Sequence, residues 1–205
     1  MAGIPAQHVA MRVRSGKLSA FLPLLQSGVR VACRTGVTLE ELLVQQWGIE
    51  ADYAARRITT LFVNSRAVDN LATTVVKGGA VVALSGAMPG LVGATMRAGG
   101  FYAAMRGAMT YRDDAAQAGS DNDWVRLKLF NLLLAELGPG FLSRGIIVTA
   151  AELAALLTSG EFSANDFSTL PSVNGTERPP AALAGELALL GSEDLLLTVE
   201  FEDKP

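Results

Sequence analysis

At 205 residues, half of them hydrophobic and only 18% charged, the chain is too apolar for intrinsic disorder and long enough for one large domain or two small ones. One cysteine, Cys33, excludes an internal disulfide, and one histidine, His8, leaves triad catalysis and His/Cys zinc binding without their parts. The net charge of −3 hides a polarity, with 12 basic and 5 acidic residues up to Arg112 and 5 and 15 after it. The basic residues are dispersed and lack interleaved aromatics, so the expectation is no nucleic-acid partner; the halves attract each other, or subunits pair head to tail.

The N-terminal stretch up to Lys17 has no continuous apolar run of the secretory kind, so a cytoplasmic location is the expectation, with His8 in a flexible arm. No internal repeat is evident. Ser27–Gly36 alternates and predicts a short strand with Val29, Val31 and Cys33 on one side. Beside Arg34 the Cys33 thiol is either activated or buried and inert, and the inert state is expected. Thr38 and Glu41 then have the spacing of a capping box, Leu39, Leu42, Leu43 and Trp47 form an apolar stripe, and Gly48 suits a helix stop.

Arg57–Asn70 is rich in β-branched and aromatic residues, with a hairpin turn predicted at Asn64-Ser65. Gly78-Gly79 precedes a further strand that closes at Pro89-Gly90. The residues from Gly78 to Met96 carry no charge, but their glycines and proline argue against a membrane span. The expected structure is a tight strand–turn–strand in which glycines let main chains approach closely. The alternative is an anion cradle built from Ser85, Gly86, Gly90 and Arg97, with Arg57 as a further anion-binding candidate. Gly99–Tyr111 reads as a strand or a helix.

A polar linker covers Asp113–Asp123, where Ser120–Asp123 is read as a helix N-cap in preference to a cation site. A buried helix is expected from Asp123 to Gly138-Pro139, and a second capped helix from Thr149 and Glu152 to Gly160. Ser163–Pro180 reads as loop, and its Asn174-Gly175-Thr176 triplet has no meaning as a glycosylation site in a cytoplasmic chain. Asp194–Asp203 alternates as a half-exposed terminal strand, with Leu195, Leu197, Val199 and Phe201 inward. The adjacent pairs Glu40-Glu41, Asp113-Asp114 and Glu193-Asp194 are expected to be ordinary solvated charges.

The run of "TLEELL" at Thr38–Leu43, "VNSRAV" at Val63–Val68 and "GGAVVAL" at Gly78–Leu84 resembles the β-grasp, ubiquitin-like sulfur carriers of molybdopterin and thiamin synthesis. The likeness covers about a third of the chain. It implies a β-grasp sheet and helix, but the terminal Gly-Gly through which those carriers act is absent here unless the chain is processed at Gly99-Gly100.

The expectation is an α+β protein, with a β-grasp-like part at 18–112 and a helical part with a terminal strand at 113–205. Its leading function is that of a non-enzymatic interaction or scaffold protein that forms a homo-oligomer or binds a protein partner. One alternative is a binder of, or enzyme for, a small anion through Ser85–Arg97, and another is a processed sulfur carrier ending at Gly100. No cofactor, metal or membrane partner is expected.

Overall fold

The structure, a computed structural model, describes residues 5–86, 90–97, 100, 101, 111 and 119–202. In chain order these form β1 (His8–Arg14), α1 (Leu18–Ser27), β2 (Val29–Cys33), β3 (Val37–Thr38) and a π-helical segment (Glu41–Gln46). Then come α2 (Ala51–Arg57), β4 (Thr60–Val63), β5 (Arg66–Ala67), β6 (Val75–Val76), β7 (Val81–Ser85) and α3 (Gly90–Met96). Past residue 119 follow β8 (Asp123–Phe130), α4 (Leu132–Arg144), β9 (Ile146–Thr149) and α5 (Ala150–Thr158). The chain continues through β10 (Phe167–Val173), β11 (Thr176–Glu177), α6 (Pro180–Leu190) and β12 (Asp194–Glu202). The class is α+β, with mixed parallel and antiparallel strands.

The chain divides into two compact units, one of Val31–Leu134 and one of Ile4–Arg30 with Ala135–Pro205. The compositional boundary after residue 112 lies inside the first.

In the first unit the strands are ordered β2-β8-β7-β4-β5. β7 and β8 run parallel from Val81 opposite Arg126 to Ser85 opposite Phe130, and β4 is antiparallel to both β7 and β5. One face of this sheet is fully apolar: Leu61, Val63, Val82, Leu84, Val125, Leu127 and Leu129 are all buried. The helical stripe Leu39, Leu42, Leu43 and Trp47 is buried as expected. Its cap is half used, since Thr38 Oγ1 accepts from the Glu41 N–H at 3.2 Å while the Glu41 carboxylate pairs with Arg34. The helix is wound wide, with the Trp47 N–H donating to the Leu42 carbonyl at 2.9 Å, and it stops at Gly48 with φ +59°.

Two expectations fail here. Asp123–Phe130 is a strand, not the start of a helix, because Val125, Leu127 and Leu129 go inward with Arg126 and Lys128 between them, a period of two. Asp123 is therefore no N-cap. The glycine-rich stretch is also not strand–turn–strand, because β7 is followed at Gly90 by the short helix α3. The strand-or-helix question over Gly99–Tyr111 falls largely on residues outside those described.

In the second unit the order is β11-β10-β1-β12-β9, with Arg30 opposite Ile147 on β9. His8 is not in a flexible arm: β1 lies parallel to β12 in unbroken register from His8 opposite Leu196 to Arg14 opposite Glu202. The expected helix stop at Gly138-Pro139 is helix interior in α4. A Cβ at Gly138 would come within 2.9 Å of the end of the Leu25 side chain on α1. The Thr149–Glu152 capping box forms as expected, with both reciprocal bonds. The supposed loop 163–180 contains the hairpin β10–β11, its strand signal masked by exposed Ser168, Thr169 and Leu170.

This unit accounts for part of the charge polarity. Basic residues that precede Val31 belong to the same unit as the acidic C-terminal ones, and three of them pair with acidic side chains there: Arg12 with Glu200 at 2.8 Å, Lys17 with Asp166 at 3.1 Å, and Arg30 with Asp194.

The two hairpins are built alike, although no repeat is evident in the sequence. Both turns hold two left-handed residues, Asn64 and Ser65 (φ 50° and 65°) and Asn174 and Gly175 (48° and 81°). Each asparagine brackets the first residue of the neighbouring strand. The Asn64 N–H donates to the Val81 carbonyl, and the Val81 N–H to Asn64 Oδ1, both at 2.9 Å. The Asn174 N–H donates to the His8 carbonyl at 2.8 Å, and the His8 N–H to Asn174 Oδ1 at 2.9 Å. The wiring differs: β7 follows its own hairpin in sequence, whereas β1 reaches its hairpin from the other end of the chain.

Candidate functional site

The face of the first unit's sheet opposite the apolar one carries a groove of about 490 Å³. Strand alternation decides its lining. Val81, Ala83 and Ser85 form the floor on β7, with Phe62 on one side and Lys128 and Phe130 on the other. Register places Phe62 and Lys128 on either side of Ala83, and Thr60 and Phe130 on either side of Ser85. The small floor residue Ala83 is what leaves the space.

One end of the groove is polar. Asn131, left-handed at φ +56° where the chain leaves β8, donates from Nδ2 to Ser85 Oγ at 2.9 Å. The Ser85 hydroxyl proton is then free to donate elsewhere. Thr60, in the register row of Ser85 but not among the lining residues, is 1% exposed, and its hydroxyl has no hydrogen-bond partner. Lys128 has no acidic partner among the described residues.

Of the sequence candidates, only Ser85 lines this groove. Gly86 follows it, and a Cβ there would meet the carbonyl of Arg57 at 3.7 Å, so Arg57 adjoins Gly86 through its backbone. Gly90 opens the seven-residue α3 with φ +80°, and Arg97 follows that helix with its N–H on the Gly93 carbonyl at 3.1 Å. Neither is among the described lining residues, and so short a helix offers no anion site at its start. Lys128, Phe130 and Asn131 are not legible as site residues while Asp123–Phe130 reads as helix, and Phe62 on β4 carries no local signal of a ligand. The basic–apolar alternation in "VRLKLF" was the signal available.

The second unit has a groove of about 710 Å³ along α5 and α6, lined by Leu157, Phe162, Phe167, Ala181, Ala184 and Ala188 among others. Leu189 on α6 is 89% exposed.

Elsewhere the polar clusters are structural. Burial, and secondarily the negative charge of Asp123, push the Cys33 thiol up to about 12, so it is held in the protonated, unreactive form. The Ser163 N–H and hydroxyl, each 2.7 Å from the Asp166 carboxylate, hold that group down to about 2, with Lys17 assisting. Gly100 donates its N–H to the Arg97 carbonyl at 3.2 Å, and Phe101 is 92% exposed. Among the described residues no three His, Cys, Asp or Glu side chains converge as metal ligands, and no helix is long and apolar enough to cross a membrane. No protein-family model, no curated protein and no solved structure matches the chain.

Proposed function

We propose that the protein is a non-enzymatic binding module whose ligand lies on the β4–β7–β8 face. The observation that carries this is the groove itself: an apolar floor and walls, with a few polar groups converging at one end, is the ordinary composition of a small-molecule site. The described polar groups of the lining are Ser65, Ser85, Asn131 and Lys128, which can orient a ligand but include no paired acid and base. The β-grasp reading of this unit is supported by β2, the β4–β5 hairpin and β7 sharing one sheet, with the capped helix between β2 and β4 in sequence and β8 completing the sheet from beyond residue 119.

A small-molecule fragment screen by ligand-observed NMR tests the proposal, run in parallel on Ala83→Leu. Ala83 is half-buried on the groove floor, so leucine fills the space without entering the apolar core. Hits lost in Ala83→Leu are expected. An absence of hits, or hits indifferent to the substitution, would overturn the reading.

A second reading, self-association, is favoured by α6, which exposes Ala181, Ala182, Gly185, Ala188 and Leu189 along one side. Single aliphatic residues on a surface are normal, but five small or apolar ones on a helix flank suit a second helix. Sedimentation velocity should show a dimer that Leu189→Lys dissociates; a monomer across micromolar concentrations sinks this reading.

A further inference from the structure

We propose that the groove takes an apolar carboxylic acid, a flat aromatic or alkyl body ending in one carboxylate, with the carboxylate at the Ser85 end. The inference rests on the reading of this face as a binding site, and adds the chemical class and the orientation of what binds.

The apolar body is specified by the floor and walls. Val81 and Ala83 present a shallow strip along β7, and Phe62 and Phe130 stand on either side of it, offset by one register row of about 7 Å. Aromatic walls over a small-residue floor favour a flat or extended partner, which they can cover on both sides.

The head is specified by two independent features of the lining, Ser85 and Lys128. Ser85 Oγ already accepts from Asn131, so its own proton needs an acceptor. Lys128 is one row away, has no acidic partner among the described residues, and carries a stem long enough to bring its ammonium to that end. A neutral donor and one cation match an acceptor-only group of a single negative charge. A phosphate carries more charge and suits several cations or a bidentate guanidinium, and no arginine lines the described groove.

The test titrates the full chain with three probes, 2-naphthoate, the neutral 2-naphthylmethanol and inorganic phosphate, read by calorimetry and by backbone amide shifts. Naphthoate should shift the amides of residues 81–85 and 128–131 and bind at least tenfold more tightly than the alcohol, with phosphate alone producing nothing. Lys128→Gln should bring naphthoate down to the level of the alcohol and leave the alcohol unchanged. Equal binding of naphthoate and alcohol, indifferent to Lys128→Gln, would overturn the carboxylate assignment and leave the groove as a neutral-ligand site. Binding of phosphate in place of naphthoate would overturn it in favour of a phosphorylated ligand. If no probe moves the groove amides, the assignment falls, and the fragment screen with Ala83→Leu decides separately whether the face binds anything.

Discussion

The carboxylate of Asp123 occupies the space that a side chain at Gly78 would need: a Cβ built there lies 2.0 Å from Oδ2 and 2.9 Å from Oδ1. The same Oδ2 accepts the Thr35 hydroxyl at 2.9 Å, and Oδ1 takes the Trp124 N–H at 2.8 Å, so the carboxylate cannot move without losing bonds. Glycine is required at 78 by this close approach. Gly78→Ala should therefore destabilise by about 2–3 kcal/mol, an overpacking cost with a lost hydrogen bond added. Urea denaturation measures it. In the double variant with Asp123→Ala the loss should be clearly smaller than the sum of the two single losses, and simple additivity would refute the steric account.

That relationship also shows what the sequence could and could not disclose. Gly78-Gly79 was read as punctuation before a strand, and Gly79, with φ +71°, is a turn residue. Nothing local says that Gly78 is a socket for a residue 45 positions later. Local signals were legible wherever the interaction is local: the stripe from Leu39 to Trp47, the Thr149–Glu152 cap, the Asn64-Ser65 turn and the alternation of β12. Two failures came from texture. The run from Asp123 joins a strand to a helix at Asn131 with no Gly or Pro between, and β10 has polar, exposed residues that read as loop. The remaining failures are topological. A central strand at His8–Arg14 depends on its parallel partner nearly 190 residues away, which no periodicity reveals. The groove inherits this, because half of its wall is on the misread strand β8 and only Ser85 could be singled out beforehand.

The two hairpins make a reciprocal prediction. Ser65 adopts φ +65° where Gly175 holds the matching position at +81°. A left-handed serine costs about 1 kcal/mol relative to glycine, so Ser65→Gly should raise stability by up to that amount. Gly175→Ser should lower it similarly; a Cβ at Gly175 meets nothing within 4 Å, which removes steric clash as a competing cause. Thermal melts of the two variants should move in opposite directions. Equal signs would mean that the turns do not share the geometry described.

Asp166 links the second unit's stability to acid. The Ser163 N–H and hydroxyl, with Lys17, lower its carboxyl from the ordinary 3.8 to about 2. A depressed carboxyl favours the folded state above its unfolded value, and that contribution is lost as pH falls from 3.8 through about 2. Carbon-detected NMR titration should place Asp166 well below the ordinary 3.8, and Asp166→Asn should flatten the stability profile over that interval. A titration midpoint near 3.8 would remove Asp166 from the account of acid unfolding.

Cys33 behaves in the opposite sense. Its thiol ordinarily ionises at 9.0, and burial, followed by the charge of Asp123, raises this to about 12. The proton is therefore held more tightly in the folded chain, and the stability this contributes is complete below 9.0 and declines as pH rises towards 12. Because the thiolate is the reacting form, iodoacetamide at pH 8 should label the folded protein on the order of a hundredfold more slowly than the urea-unfolded chain. Asp123→Asn removes the second cause and leaves the first, so labelling should accelerate in part while remaining slower than in urea. Rapid labelling of the folded wild type would show that Arg34, the adjacent cation, governs the thiol after all, and would return Cys33 to the list of reactive groups.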